Sequence, residues 1–282
     1  MYNLQLKKGI LYIIFSCFFF SLMSVFVKLS SSNLTLIETV FLRSLSALII
    51  IFPLVYFKNK NFRTKYFKFH FLRSLIGTLA MLCMFYALRE LPLSNVIIIS
   101  FSKIFFIIPL AFYILKEKVS FYSFSLICLG FCGVIIALGI DSYKENYYFY
   151  FFAFFGAFLI ALVKIIVKKI AMKEDTLLIQ FYFALLSSCM LFFPYLKFLS
   201  LPTTIDLILI FSSAVCGILA QYFTISGLKL ADATKILPFD FFRIIFGVIL
   251  GVIIFSEDLT YKMFFGSLLI FLSSMILIKK IK

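Results

Sequence analysis

Lys103 stands in the middle of the apolar run SFSKIFFIIPL (Ser100–Leu110), and Arg243 stands in the corresponding place of DFFRIIFGVIL (Asp240–Leu250). A cation held in hydrocarbon costs on the order of 3 kcal/mol on insertion scales, so it persists where it is paired or where it binds something. Asp240 and Arg243 are three residues apart and can meet on a helix. Ser100, three residues before Lys103, cannot neutralise a charge. One carboxylate against two cations leaves a positive centre, which suits a carboxylate or phosphate on a ligand. Lys103 has no counter-ion on its own helix, but symmetry between the two halves would let Asp240 reach across to it. The alternative to a binding site is a structural staple of Asp240, Arg243 and Lys103 between two helices. Phe101 and Phe239 add aromatic faces, and Gln221 and Tyr222 put an amide and a phenol where polar groups need partners. Lys103, Asp240, Arg243, Ser100, Phe101, Phe239, Gln221 and Tyr222 are therefore the candidate substrate-binding residues of a central cavity. Glu38 and Arg43 are gate candidates in the outer half of the second span. Arg73 and Lys164, near span ends, read as snorkelling to the interface.

The elements that must position these groups are membrane helices. The 282 residues are 64% hydrophobic and 14% charged, against roughly 45–50% and about 25% in soluble domains. Several runs exceed the roughly 18 apolar residues of a spanning helix. The fold class is an all-α polytopic membrane protein with ten spans, near 9–28, 36–57, 69–88, 94–115, 121–140, 147–167, 177–196, 206–228, 233–255 and 261–278. The first of these is too long for a signal-peptide core. The net charge of +15 sits mostly in short loops, without a nucleic-acid-binding pattern, so the partner is the lipid bilayer and not nucleic acid. Sixteen Lys/Arg on one side against three on the other place both termini in the cytoplasm of a bacterial inner-membrane protein.

Enzyme chemistry lacks candidates. There is no G-x-x-x-x-G-K-[ST] and no H-E-x-x-H, and the single histidine, His70, lies at an interface. The six cysteines lie in apolar runs without a His or carboxylate beside them, as buried hydrophobes do. No catalytic residue, metal or cofactor is expected.

The chain repeats itself at an offset of 140: Gly77 falls on Gly217, Lys103 on Arg243, Glu117 on Glu257, and the "FVK" ending at Lys28 on the "IVK" ending at Lys168. This divides the chain into 1–140 and 141–282, each with five spans. Two tandem repeats with an odd number of spans enter the membrane from opposite sides. Inverted repeats are a mark of secondary transporters, with substrate bound near the midplane where the repeats meet. Gly247 and Gly251 form a helix-packing GxxxG, and Gly130 and Gly133 suit either packing within the chain or a homodimer.

Two five-span inverted repeats resemble the drug/metabolite transporter superfamily, EamA type. "KEKVS" at Glu117 and "SEDLT" at Glu257 are similar to that family's small-residue–Glu–x–x–(Ser/Thr) signature, with Lys116 and Ser256 in the place of the usual glycine. Within the family, Phe69–Ser102 and Leu230–Leu259 look most like rickettsial S-adenosylmethionine uptake transporters. Arg73–Ser74 opens the third span, and Asp232, Ala233, Thr234 and Pro238 match the entry to the ninth. The residues after Pro238 depart from that pattern. The resemblance implies a metabolite transporter with a cavity lined by spans 1, 3, 4, 6, 8 and 9, working by alternating access. The small-molecule substrate it implies is S-adenosylmethionine, taken up or exchanged. The alternatives are an amino-acid or drug/metabolite exporter of the same fold and, in another class, a non-transporting membrane scaffold.

Overall fold

The computed structural model describes residues 2–58, 62–116, 121–138, 147–197 and 202–280, and within them the chain is helical, without a strand. Ten helices follow one another: α1 (Tyr2–Ser30), α2 (Leu36–Phe57), α3 (Phe67–Glu90), α4 (Leu93–Leu115), α5 (Phe121–Leu138), α6 (Tyr147–Ala171), α7 (Thr176–Leu196), α8 (Thr204–Leu230), α9 (Ala233–Phe255) and α10 (Tyr261–Lys280). Eight are long and apolar enough to cross a membrane, and α5 and α10 hold shorter apolar stretches, Cys128–Leu138 and Tyr261–Ser273. Glu117 and the loop lysines Lys118 and Lys144 lie outside the described residues.

Local chemistry sets the helix starts. Thr35 opens α2 with a capping box, its hydroxyl accepting from the Glu38 backbone N–H while the Glu38 carboxylate accepts from the Thr35 N–H at 2.8 Å. One repeat later Asp175 opens α7, accepting from the Leu177 N–H at 2.9 Å. Helix ends are treated alike in both halves. Lys28 donates to the Leu91 carbonyl at 2.6 Å just past α3, and Lys168 donates to the Ala231 carbonyl at 2.6 Å just past α8. A cation at a helix C-terminus satisfies the last carbonyls and the helix dipole together.

The halves interleave. α1 packs most extensively on α8 and α3 on α6, while α2 meets α7, α5 meets α10 and α4 meets α9. Under the 140-residue offset each of these pairings maps onto itself or onto its mirror, as a two-fold axis in the membrane plane requires. Small residues allow the closest crossings. A Cβ on Gly133 would lie 2.9 Å from the Gly266 carbonyl, and one on Gly130 would lie 2.8 Å from Ser273, so these glycines are occupied by α10 of the same chain. Gly247 similarly admits Ile97 of α4 against α9.

The helices α4 and α9 change winding at their centres. In α4 the regular turns stop at Phe101, resume at Lys103 and end in a π-turn over Ala111–Leu115. In α9 a 3₁₀ segment, Leu237–Phe241, begins around Pro238 before α-helix resumes at Phe242. Both breaks are at midspan, where interrupted helices free polar backbone for a site. Both helices end in left-handed residues, Lys116 (φ 57°) and Ser256 (φ 51°). These are the two positions where the resemblance has glycine, because a Cβ is disfavoured in that conformation. Beyond Ser256, Glu257 folds back onto α4, accepting from the backbone N–H groups of Leu93 (2.5 Å) and Ser94 (3.0 Å) and from the Ser94 hydroxyl (2.6 Å). Pro92 gives α4 no side-chain cap of its own.

Candidate functional site

Between the repeats lies a cavity of about 140 Å³, on a scale where one water needs about 10–15 Å³, so it holds on the order of ten waters. Its wall includes five cations, Arg43, Arg73, Lys103, Lys164 and Arg243, and no carboxylate. The rest is apolar, with Phe and Met side chains and about as many aliphatic ones, apart from Ser24, Gln221 and Thr224. Residues from α1, α3, α4, α6, α8 and α9 contribute, and α2 and α7 add one each: Arg43 and Phe183, which occupy equivalent places in the two repeats.

The charged groups are held differently. Lys103, 2% exposed, forms an ion pair with the Asp240 carboxylate, which is 1% exposed and stands behind the cavity wall. The partner of Asp240 is thus across the pseudo-two-fold axis on α4, and not Arg243 on its own helix. Asp240 and Arg243 flank the junction between the 3₁₀ segment and the α-helix that resumes at Phe242, and their side chains go to different partners, Asp240 to Lys103 and Arg243 to Ser24. Cys17 of α1 also donates to Asp240 Oδ1, at 3.3 Å.

The other four cations meet neutral groups. Arg243 Nη2 donates to Ser24 Oγ at 3.3 Å, and its guanidinium lies 5.1 Å from the Phe20 ring centre. Lys164 lies 5.6 Å from the same ring and donates to Thr224 Oγ1 at 3.4 Å. Arg73 Nη2 donates to Gln221 Oε1 at 2.6 Å while its plane sits 4.0 Å over Phe183. Arg43 points its two terminal nitrogens at sulfur, Met81 Sδ at 2.8 Å and Met23 Sδ at 3.1 Å. Aromatic faces and thioethers steady a cation without neutralising it. The buried Nε atoms of Arg43, Arg73 and Arg243, and Nη1 of Arg73, have no hydrogen-bond partner. The wall is thus rich in cationic nitrogens whose hydrogen-bonding capacity is only partly used.

The structure distributes the residues singled out in the sequence. Lys103, Arg243 and Gln221 line the cavity. Ser100 is buried with its hydroxyl donating to the Ile97 carbonyl of its own helix at 2.8 Å. Phe101 packs edge-on against Phe105, and Phe239 packs toward Phe241, neither in the wall. Tyr222, 39% exposed, stands on the outer surface beside Phe223. Glu38 is engaged in the α2 capping box, whereas Arg43, one and a half turns further on, reaches into the cavity. Arg73 and Lys164 do not snorkel: they are 3% and 7% exposed and face inward. Each stands six or seven residues inside its helix, about 10 Å at 1.5 Å per residue. That depth was the available signal, and Arg73, Lys164 and Phe183 were missed as wall residues.

The model of the EamA-like transporter family matches the chain twice, over residues 7–139 and 147–279. An S-adenosylmethionine uptake transporter of Rickettsia felis is 26% identical over 234 residues, 83% of this chain and 79% of that protein. An uncharacterized transporter of Helicobacter pylori is 26% identical over 279 residues, covering 95% and 94%. The pseudopaline exporter CntI of Pseudomonas aeruginosa is 23% identical over 253 residues, 89% of each chain. One crystal structure shares the fold with a TM-score of 0.75 at 13% identity, over 96% of both chains. With both repeats matched and ten helices interleaved about a central cavity, the chain is a multi-pass membrane transporter, not an enzyme, and belongs to the EamA-like transporter family.

Proposed function

We propose that the protein is a secondary transporter of the bacterial inner membrane that moves a small anionic metabolite by alternating access, with both termini in the cytoplasm. The observation that carries this reading is the charge of the cavity: five cations line it, one is neutralised by Asp240, and no lining carboxylate answers the other four. Intramembrane charge without compensation is costly, and a ligand with two or more carboxylate or phosphate groups removes that cost on binding. The binding residues in this reading are Arg43, Arg73, Lys103, Lys164 and Arg243, with Gln221 and Ser24 fixing orientation and Asp240 setting Lys103. The orientation rests on the Lys/Arg asymmetry of the loops.

A second reading, S-adenosylmethionine uptake or exchange, is favoured by the rickettsial relatives. Its carboxylate would meet Arg243, but its ammonium and sulfonium groups would enter a cavity already rich in cations. The test is uptake into proteoliposomes, with labelled succinate and labelled S-adenosylmethionine offered separately, with and without the same compound preloaded. Saturable succinate uptake, stimulated by preloading and lost in folded Arg243→Ala, supports an anion exchanger. Saturable uptake of S-adenosylmethionine alone replaces it with the second reading. Saturable uptake that folded Arg243→Ala keeps in full removes Arg243 from the binding residues of this reading.

A further inference from the structure

Behind the cavity wall is a second, smaller space between α2, α7 and α8, of about 10 Å³, bounded by Gln180, Ser44 and Gly217 and sharing Arg43, Phe183 and Gln221 with the main cavity. That volume is room for one oxygen atom. Gln180 is 2% exposed, and neither its amide nitrogen nor its amide oxygen has a hydrogen-bond partner. The neighbouring Ser44 hydroxyl spends its proton on the Val40 carbonyl at 2.8 Å and so donates nothing to Gln180. Arg43 Nε, in the shared wall, is also without a partner. Space for the arginine is created at Gly217, where a Cβ would collide with Arg43 Nη2. A buried amide with both ends idle is a cost the fold would shed by carrying a methionine or leucine there.

We propose that this chamber is a subsite of the transport cavity, and that Gln180 reads one carboxylate of the substrate. One carboxylate oxygen enters from the main cavity between Arg43 and Gln221 and accepts from the Gln180 amide and from Arg43 Nε. The second anionic group of the ligand stays in the main cavity with Arg243 and Lys164. Phe183, stacked on Arg73 and packed against Gly77, is the wall element that must turn aside. The subsite rests on the anionic reading of the main cavity and adds a residue that distinguishes two-headed from one-headed anions.

The experiment is ligand binding to the purified full-length protein, using the linear dicarboxylates malonate through adipate and their monoamides as probes. Wild type, Gln180→Met, Gln180→Glu and Arg243→Ala are compared, with melting temperature recorded for each. Wild type is expected to prefer one dicarboxylate over its monoamide. Gln180→Met is expected to melt no lower than wild type, to lose about tenfold in affinity for that dicarboxylate, and to bind the monoamide as before. Gln180→Glu, nearly isosteric, should reverse the preference. If wild type binds dicarboxylates through Arg243 but both position-180 variants keep its affinities, or lower dicarboxylate and monoamide alike, the subsite is overturned and the main cavity stands. If Gln180→Met instead melts lower with its affinities unchanged, the chamber holds a structural water and the subsite is likewise overturned. If no dicarboxylate binds folded wild type, the anionic cavity itself fails and the subsite with it.

Discussion

Lys103 of α4 and Asp240 of α9 form a buried ion pair across the pseudo-two-fold axis that relates the repeats. The pair ties together the two irregular helices, and among the described residues it is the one ion pair of a cavity cation with a carboxylate. Lys103 is thereby held at the wall while Arg243, its counterpart in the other repeat, faces the cavity with only serine and an aromatic ring. Equivalent positions thus carry one cation in direct ion contact with a carboxylate and one that is not.

The pair predicts an asymmetric mutational cycle. Asp240→Asn strands Lys103 in an apolar surround and should cost about 3–5 kcal/mol, as removing one partner of a buried ion pair does. Lys103→Met combined with Asp240→Asn should recover most of that loss. Thermal melting in detergent of the two single variants and the double reads the coupling, and additive losses would mean that the two groups do not act as a pair.

Arg73 should be intolerant of lysine. Its guanidinium donates to Gln221 and stacks on Phe183 at once, which an ammonium cannot reproduce. Arg73→Lys is expected to keep the fold and to lose roughly tenfold in ligand affinity, about 1.4 kcal/mol. Titration of the purified variant with whichever dicarboxylate wild type binds measures it.

The two left-handed helix ends should accept glycine with a gain. Lys116→Gly and Ser256→Gly each relieve a side chain from a conformation that costs non-glycine residues about 1 kcal/mol. Both variants should melt higher than wild type without a change in transport. A lower melting temperature would show that the lysine or serine side chain contributes more than its backbone strain removes.

Two glycine-to-alanine changes should separate packing from function. At Gly266 the added methyl meets the backbone of Ala137 in α5, which cannot move aside, and the cost should be about 1–3 kcal/mol. At Gly217 the obstacle is the mobile end of Arg43, so Gly217→Ala should melt near wild type yet bind ligand as poorly as Arg43→Gln. Comparing melting temperature with affinity for both variants distinguishes the cases.

Much of the architecture was legible because it is written in length and period. Apolar runs bounded by charges gave ten spans, the offset that superposes Lys103 on Arg243 gave the repeat, and an odd number of spans per repeat required inversion. Membrane depth was legible too, which is why Lys103, Asp240 and Arg243 stood out. The face each residue presents was not. These helices are apolar on nearly every side, since lipid and protein interior are equally oily, so the stripe that orients a helix in a soluble protein is missing. Arg43, Arg73 and Lys164 therefore read as gate or interface residues until packing turned them inward, while Tyr222, polar and at the right depth, proved to face outward. For Asp240 the sequence offered two partners, Arg243 on its own helix and Lys103 across the repeat, and the approach of α4 decided for Lys103. Sequence set which charges lie in the membrane and how deep; the rotation and contact of the helices decided which of them share a cavity.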